Sequence, residues 1–268
     1  MIAQSSILIA GASGYVGGRF LQTLETQNKS KRVLTASEAS DIPSLRKALK
    51  GIHTAFYFEK KKPDDAKRFA HACSLNKVKR IVYVGTMNSS PKVGEILMAS
   101  AVPMVEFRPS FIIGSGSPPF EAIRAWVERF PIMIEPPWID RLTQPLSIED
   151  MMAYLLEATS YRGPSRVFEI GGPERVSYRE MIKEMSRQGR LRRWMFSVPF
   201  LSPWLFRSFL RWSLAVDPQA IRTIEMEMRS NTVVSHPDAL RLFQVRPRSC
   251  EESIAHALEI RGNRSRVS

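Results

Sequence analysis

The stretch Ser6-Ile7-Leu8-Ile9-Ala10-Gly11-Ala12-Ser13-Gly14-Tyr15-Val16-Gly17-Gly18 decides the fold. Its first five residues form a short apolar run, suited to a parallel strand buried on both faces. Glycines 11, 14 and 17 follow at a spacing of three, and Arg19 to Gln27 has helical periodicity with Phe20, Leu21 and Leu24 inward. A strand that turns through glycines into a helix brings the free N–H groups of the helix start, and its positive potential, close to any phosphate laid against the turn. Read alone, the pattern also fits a tight strand–helix turn with no ligand.

The chain beyond repeats the alternation. Arg32–Ala36, His53–Phe58, Lys79–Gly85 and Val102–Phe107 read as strands, and Asp41–Leu49, Asp64–Leu75 and Pro91–Ala99 as helices. Strands and helices alternating at this spacing predict βαβ units and an α/β, Rossmann-like, doubly wound parallel sheet. After Gly116 the texture changes. Helices are expected at Phe120–Phe130, Ile148–Thr159 and Ser177–Arg187, a strand at Arg166–Ile170, and a mostly helical last third broken by prolines. This predicts a Rossmann-like core over 1–115 and a smaller, mainly helical C-terminal lobe over 116–268, packed as one compact unit.

Composition narrows the classes. The 268 residues are 44% hydrophobic and 24% charged, which excludes wholesale disorder. Cys73 and Cys250 are too few for a disulfide scaffold, so a reducing, cytoplasmic setting is expected. No signal peptide and no uncharged run long enough for a membrane span is read. The net charge of +13 divides into +9 for residues 1–134 and +4 for 135–268. His53, His71, His236 and His256 show no metal spacing, nor do the cysteines, so no metal site is expected.

The glycine stretch resembles the N-terminus of the atypical and extended short-chain dehydrogenases/reductases, in particular the NAD(P)H-binding, NmrA-like (nucleoside-diphosphate-sugar epimerase-like) subgroup. The resemblance continues in Val78–Gly85, Val93–Leu97, Glu106–Ser117, Gln144–Asp150 and Phe168–Pro173, covering roughly residues 5–185. It implies NAD or NADP as cofactor, held by Gly11, Ser13, Gly14, Tyr15, Val16 and Gly17, with Glu38 near the adenine. It also implies a substrate side at Arg108 and Pro109, although Arg108 could equally tie strand to loop.

Two departures from that family bear on function. The helix ending near Gln27 runs through Lys29 and Lys31 into the second strand, which by resemblance corresponds to the family's third, with about 20 residues lacking. Lys29, Lys31 and Arg32 could meet a 2′-phosphate or form a solvated basic loop, so NAD and NADP are not distinguished. The family's tyrosine and lysine stand one helical turn apart, about 6 Å. The one Tyr-x-x-x-Lys here, Tyr57 to Lys61, starts on a predicted strand, where four residues span roughly 13 Å. Thr86 and Lys92 remain as catalytic candidates.

From Met185 to Val216 there are six arginines, seven aromatics and no acid. Such a segment can pack on the main domain, cover a hydrophobic substrate, meet a protein partner, or lie on an anionic membrane surface through residues 187–212. The last would place the protein at the inner face of a membrane. No nucleic-acid motif accompanies the charge. Two functions follow: an NAD(P)-dependent oxidoreductase or isomerase without the usual Tyr/Lys pair, or a non-catalytic dinucleotide-sensing regulator or assembly factor.

Overall fold

The computed structural model describes residues 6–27, 31–34, 42–58, 63–87, 92–197 and 228–264, with residues 202, 204, 208, 211, 221, 225 and 226. The chain divides into two compact units, each discontinuous: 1–109 with 150–170 and 236–246, and 110–149 with 171–235 and 247–268. Segments well beyond residue 115 thus return to the first unit.

The first unit holds a six-stranded sheet. Its strands are β1 (Ile7–Ala10), β2 (Lys31–Leu34), β3 (Thr54–Tyr57), β4 (Arg80–Val84), β5 (Met104–Pro109) and, after several intervening elements, β10 (Arg166–Ile170). They stand in the order β10-β5-β4-β3-β1-β2, every neighbouring pair parallel. Burial on both faces explains runs such as Ile7-Leu8-Ile9-Ala10, in which every residue is buried.

Helices cover both faces. Against one lie α2 (Ile42–Ala48), α3 (Pro63–Leu75) and α4 (Lys92–Met98), whose Leu45, Phe69 and Leu97 share a core with Leu8, Ala55, Ile81 and Met104. On the other, α1 (Tyr15–Thr26) is pinned by Phe20, whose ring lies 4.5 Å from that of Phe56. Tyr154 of α6 (Ile148–Ala158) and Phe243, just past α8 (Asp238–Leu242), pack around Phe107 and Phe168. The strand order reverses at β1: the chain goes first to β2 on one side, then to β3 on the other. In open α/β sheets, ligands bind at such a switch point, outside the carboxyl ends of the strands.

The pairing gives the place of β2 in the sheet. Ile7 is level with Lys31 and Ala10 with Leu34, so β2 stands immediately beside β1. This is the second-strand position. Local residue matching gave the strand's character but not its neighbour, which is fixed by pairing.

The second unit mixes helices with short strand pairs: β6 (Ile112–Ile113) with β9 (Leu146–Ser147), β7 (Ile132–Glu135) with β12 (Trp194–Ser197), and β8 (Leu142–Thr143) with β11 (Val176–Ser177). Its core joins Phe120 and Trp126 of α5 (Pro118–Arg129), Met181 of α7 (Tyr178–Gln188) and Ile254 of α9 (Cys250–Arg264). Ser177 begins α7 with a reciprocal cap: Glu180 N–H donates to Ser177 Oγ at 3.2 Å, and Ser177 N–H donates to Glu180 Oε2 at 2.7 Å. Trp194–Ser197 was expected to be helical. It is a strand because β7, some 60 residues earlier, supplies its hydrogen-bonding partner.

Candidate functional site

At the carboxyl end of β1, Gly11 adopts φ of +85°, a left-handed conformation that favours glycine. The Gly14 N–H donates to Gly11 O at 3.3 Å, and Gly14 is the N-cap of α1. Gly14 offers no side-chain cap, and the first turn holds no acid. The N–H groups of a first turn have no intrahelical acceptors. Here they are bonded by no cap side chain, in a turn whose dipole favours an anion.

The glycines do different work. A Cβ on Gly17 would lie 2.5 Å from Gly11 O and 3.1 Å from Ala12 Cα, so that glycine is demanded by packing of helix on loop. A Cβ on Gly14 would lie 3.7 Å from Gly11 O, an ordinary contact, and its φ is −75°. The chain's own packing therefore does not require glycine at 14. Gly14 and Ser13 are exposed, while Tyr15 and Val16 are half-buried. The loop brings these residues together in one turn at the carboxyl end of β1.

Glu38 and Lys29 lie outside the described residues, as do the side chains of Lys31 and Arg32. Tyr57 is buried in β3, its ring 4.7 Å from that of Phe69 and 6.1 Å from that of Tyr83. A buried strand tyrosine cannot stand one helical turn from a lysine, and Lys61 lies outside the described residues. Thr86 is half-buried just past β4, and Lys92 is exposed at the first position of α4, a helix with no tyrosine.

Further along the carboxyl edge of the sheet, β5 carries a group that the sequence reading passed over. Glu106 is 2% exposed. Its Oε1 accepts from Arg108 Nε at 2.6 Å, two residues on and therefore on the same strand face. Its Oε2 is buried and has no hydrogen-bond partner among the described residues. Room for the carboxylate comes from two glycines. A Cβ on Gly85 would lie 2.8 Å from Oε1, and one on Gly94, in α4, would overlap Oε2. Burial, and then the Glu106 charge, push the Tyr83 hydroxyl up to about 12, whereas the hydrogen bond to Glu106 raises Arg108.

Arg108 is held through Nε by Glu106. Its two terminal nitrogens have no partner among the described residues, and its side chain is 28% exposed. Three strand spacings separate β5 from β1, so Arg108 stands roughly 14 Å across the sheet edge from the glycine loop. Pro109 ends the strand beside it, buried. The one signal that could have exposed this arrangement is an acid inside the otherwise apolar Met104-Val105-Glu106-Phe107 run, with a base at i+2. A buried carboxylate needs such a partner.

Cys73 and Cys250 are both buried; burial pushes the Cys250 thiol up to about 12 and raises Cys73 as well. Among the described residues, no group of three His, Cys, Asp or Glu side chains could hold a metal, and no helix is long and apolar enough to cross a membrane.

The α/β, Rossmann-like fold is shared by solved structures of reductases and an epimerase. The NADPH-dependent quinone oxidoreductase of Escherichia coli superposes with a TM-score of 0.74 at 16% identity, covering 93% of this chain and 98% of that one. Citrobacter sp. triphenylmethane reductase, solved with NADP(H), gives 0.71 at 14% identity, covering 94% and 99%. UDP-glucose 4-epimerase of Thermotoga maritima, solved with UDP-glucose, gives 0.70 at 12% identity, covering 96% and 99%. No protein-family model and no curated protein sequence matches the chain.

Proposed function

We propose that the chain binds NAD or NADP across the carboxyl edge of its sheet and acts as a reductase or isomerase on a substrate held near Arg108. The observation that carries this reading is the loop after β1: Gly11 at positive φ, Gly17 packed on the loop, and a Gly14 that the chain's own contacts do not require. A backbone without a Cβ at 14 lets a pyrophosphate approach the first-turn N–H groups. The fold supports the reading, since similar structures were solved with NADPH or NADP(H).

In this reading the bound dinucleotide supplies hydride chemistry. Ser13, Gly14, Tyr15 and Val16 hold its phosphates. Arg108, fixed through Nε by Glu106, offers its terminal N–H groups to an oxyanion or carboxylate of the substrate. Thr86 offers a hydroxyl at the β4 end, and Lys92 a cation at the start of α4.

A non-catalytic dinucleotide sensor is the second reading. One observation favours it: α4 lacks a tyrosine, and Tyr57 is buried in a strand.

Titration of the purified chain with NADH and NADPH, followed by nucleotide fluorescence or calorimetry, tests both readings. Saturable binding is expected, with turnover of a carbonyl panel under the first reading and none under the second. Absence of binding at millimolar concentration of either nucleotide overturns both.

A further inference from the structure

The second unit carries a surface that the reading above does not use. In the parallel β7–β12 pair, Trp194 stands level with Ile132 and Phe196 with Ile134. Side chains alternate along a strand, so these four share one face. All four are exposed, by 69%, 59%, 54% and 39% for Trp194, Ile132, Phe196 and Ile134. The opposite face is occupied, because Met133 is buried in the core of the unit and Met195 packs against it. The ribbon is thus anchored on one side and presents four large apolar side chains on the other. Single exposed apolar residues are ordinary, but a register-matched group of four marks a contact surface.

Exposed basic residues flank this face. Arg190 and Arg192 are exposed in the turn leading into β12. Arg193 donates to Val127 O at 2.5 Å and Glu128 O at 3.0 Å, carbonyls of the last turn of α5. Among the described residues none of these three has a carboxylate partner, and the segment from Met185 to Val216 contains no acid.

We propose that the β7–β12 face docks on an anionic membrane surface. Trp194 and Phe196 would enter the interfacial layer, with Ile132 and Ile134 beside them, while Arg190 and Arg192 meet acidic headgroups. Tryptophan, with an apolar body and a polar N–H, suits that boundary, and arginine suits phosphate. A second copy of the chain fits less well, because face-to-face pairing would bring two sets of uncompensated arginines together. This inference stands independently of nucleotide binding.

The test is co-sedimentation of the full chain with phosphatidylcholine vesicles, with and without phosphatidylglycerol. At low salt the protein should pellet with the mixed vesicles, remain in solution with the neutral ones, and be released by added salt. The pair Trp194→Ser with Phe196→Ser should cut partitioning by about tenfold or more, as loss of buried aromatic area requires. Circular dichroism checks that this variant is folded. Arg190→Glu with Arg192→Glu, at exposed turn positions, provides a second variant and should also cut binding. Protein left in the supernatant with anionic vesicles at low salt overturns the proposal. So does a folded serine variant that pellets like the parent. Concentration-dependent dimerisation abolished by that same variant would instead give the face to a second copy.

Discussion

At the β1 end of the sheet edge, glycine brings backbone against backbone; at the β4–β5 end, glycine admits a carboxylate. Gly17 lets α1 close on Gly11 O, whereas Gly85 and Gly94 leave a cleft that Glu106 fills. The first arrangement leaves helix-start N–H groups without a cap side chain. The second fixes a guanidinium by one of its three nitrogens. In the proposed reading each would serve an anion, one with backbone donors and one with a side chain. The difference lies in where strain would fall if a methyl group were added.

Gly17→Ala should have the largest effect on stability. Its Cβ meets backbone atoms on the far side of a tight turn, which cannot rotate away as a side chain can. Overpacking of this kind costs about 1–3 kcal/mol, and the upper part of that range is expected. Urea unfolding of the variant measures it. A loss below about 0.5 kcal/mol, within the usual range for surface changes, would mean that helix and loop are not held as closely as the structure has them.

Gly94→Ala should cost somewhat less, about 1–2 kcal/mol, because the clash falls on the Glu106 side chain. The carboxylate has little freedom, since Gly85 bounds its other side. If Glu106 is the cause, the penalty depends on it. In the Glu106→Ala background, Gly94→Ala should be nearly neutral, giving a coupling of about 1 kcal/mol or more in the cycle. Additive losses would show that the cleft is not built around the carboxylate. Glu106→Ala by itself also frees Arg108, and substrate or anion affinity should fall more than nucleotide affinity.

The two ends were not equally legible. The loop could be read because Gly11, Gly14 and Gly17 are neighbours in sequence and the apolar strand before them is local. The Glu106 cleft draws on positions 85, 94 and 106, which meet only when β4, α4 and β5 are assembled. Its local trace was an acid in a buried strand with arginine at i+2. The same limit explains β12. Trp194-Met195-Phe196-Ser197 has no periodicity that separates strand from helix over four residues, and its pairing with Ile132–Glu135 is a long-range fact. For β2 the composition indicated a strand, but only pairing put it beside β1.

Gly14→Ala should be the least costly to the fold and thus sharpens the contrast most. The Cβ would make an ordinary contact with Gly11 O at 3.7 Å, and φ of −75° suits alanine. Stability should change by less than about 0.5 kcal/mol, the range of substitutions that remove no buried feature. Nucleotide affinity should nevertheless fall about tenfold or more, because a methyl group would stand between the turn's N–H groups and a pyrophosphate. Denaturant unfolding and NADPH titration of one preparation separate the two quantities. A variant that binds NADPH like the parent would leave Gly14 without a functional reason, and the loop would then be a strand–helix turn whose glycines at 11 and 17 serve packing alone.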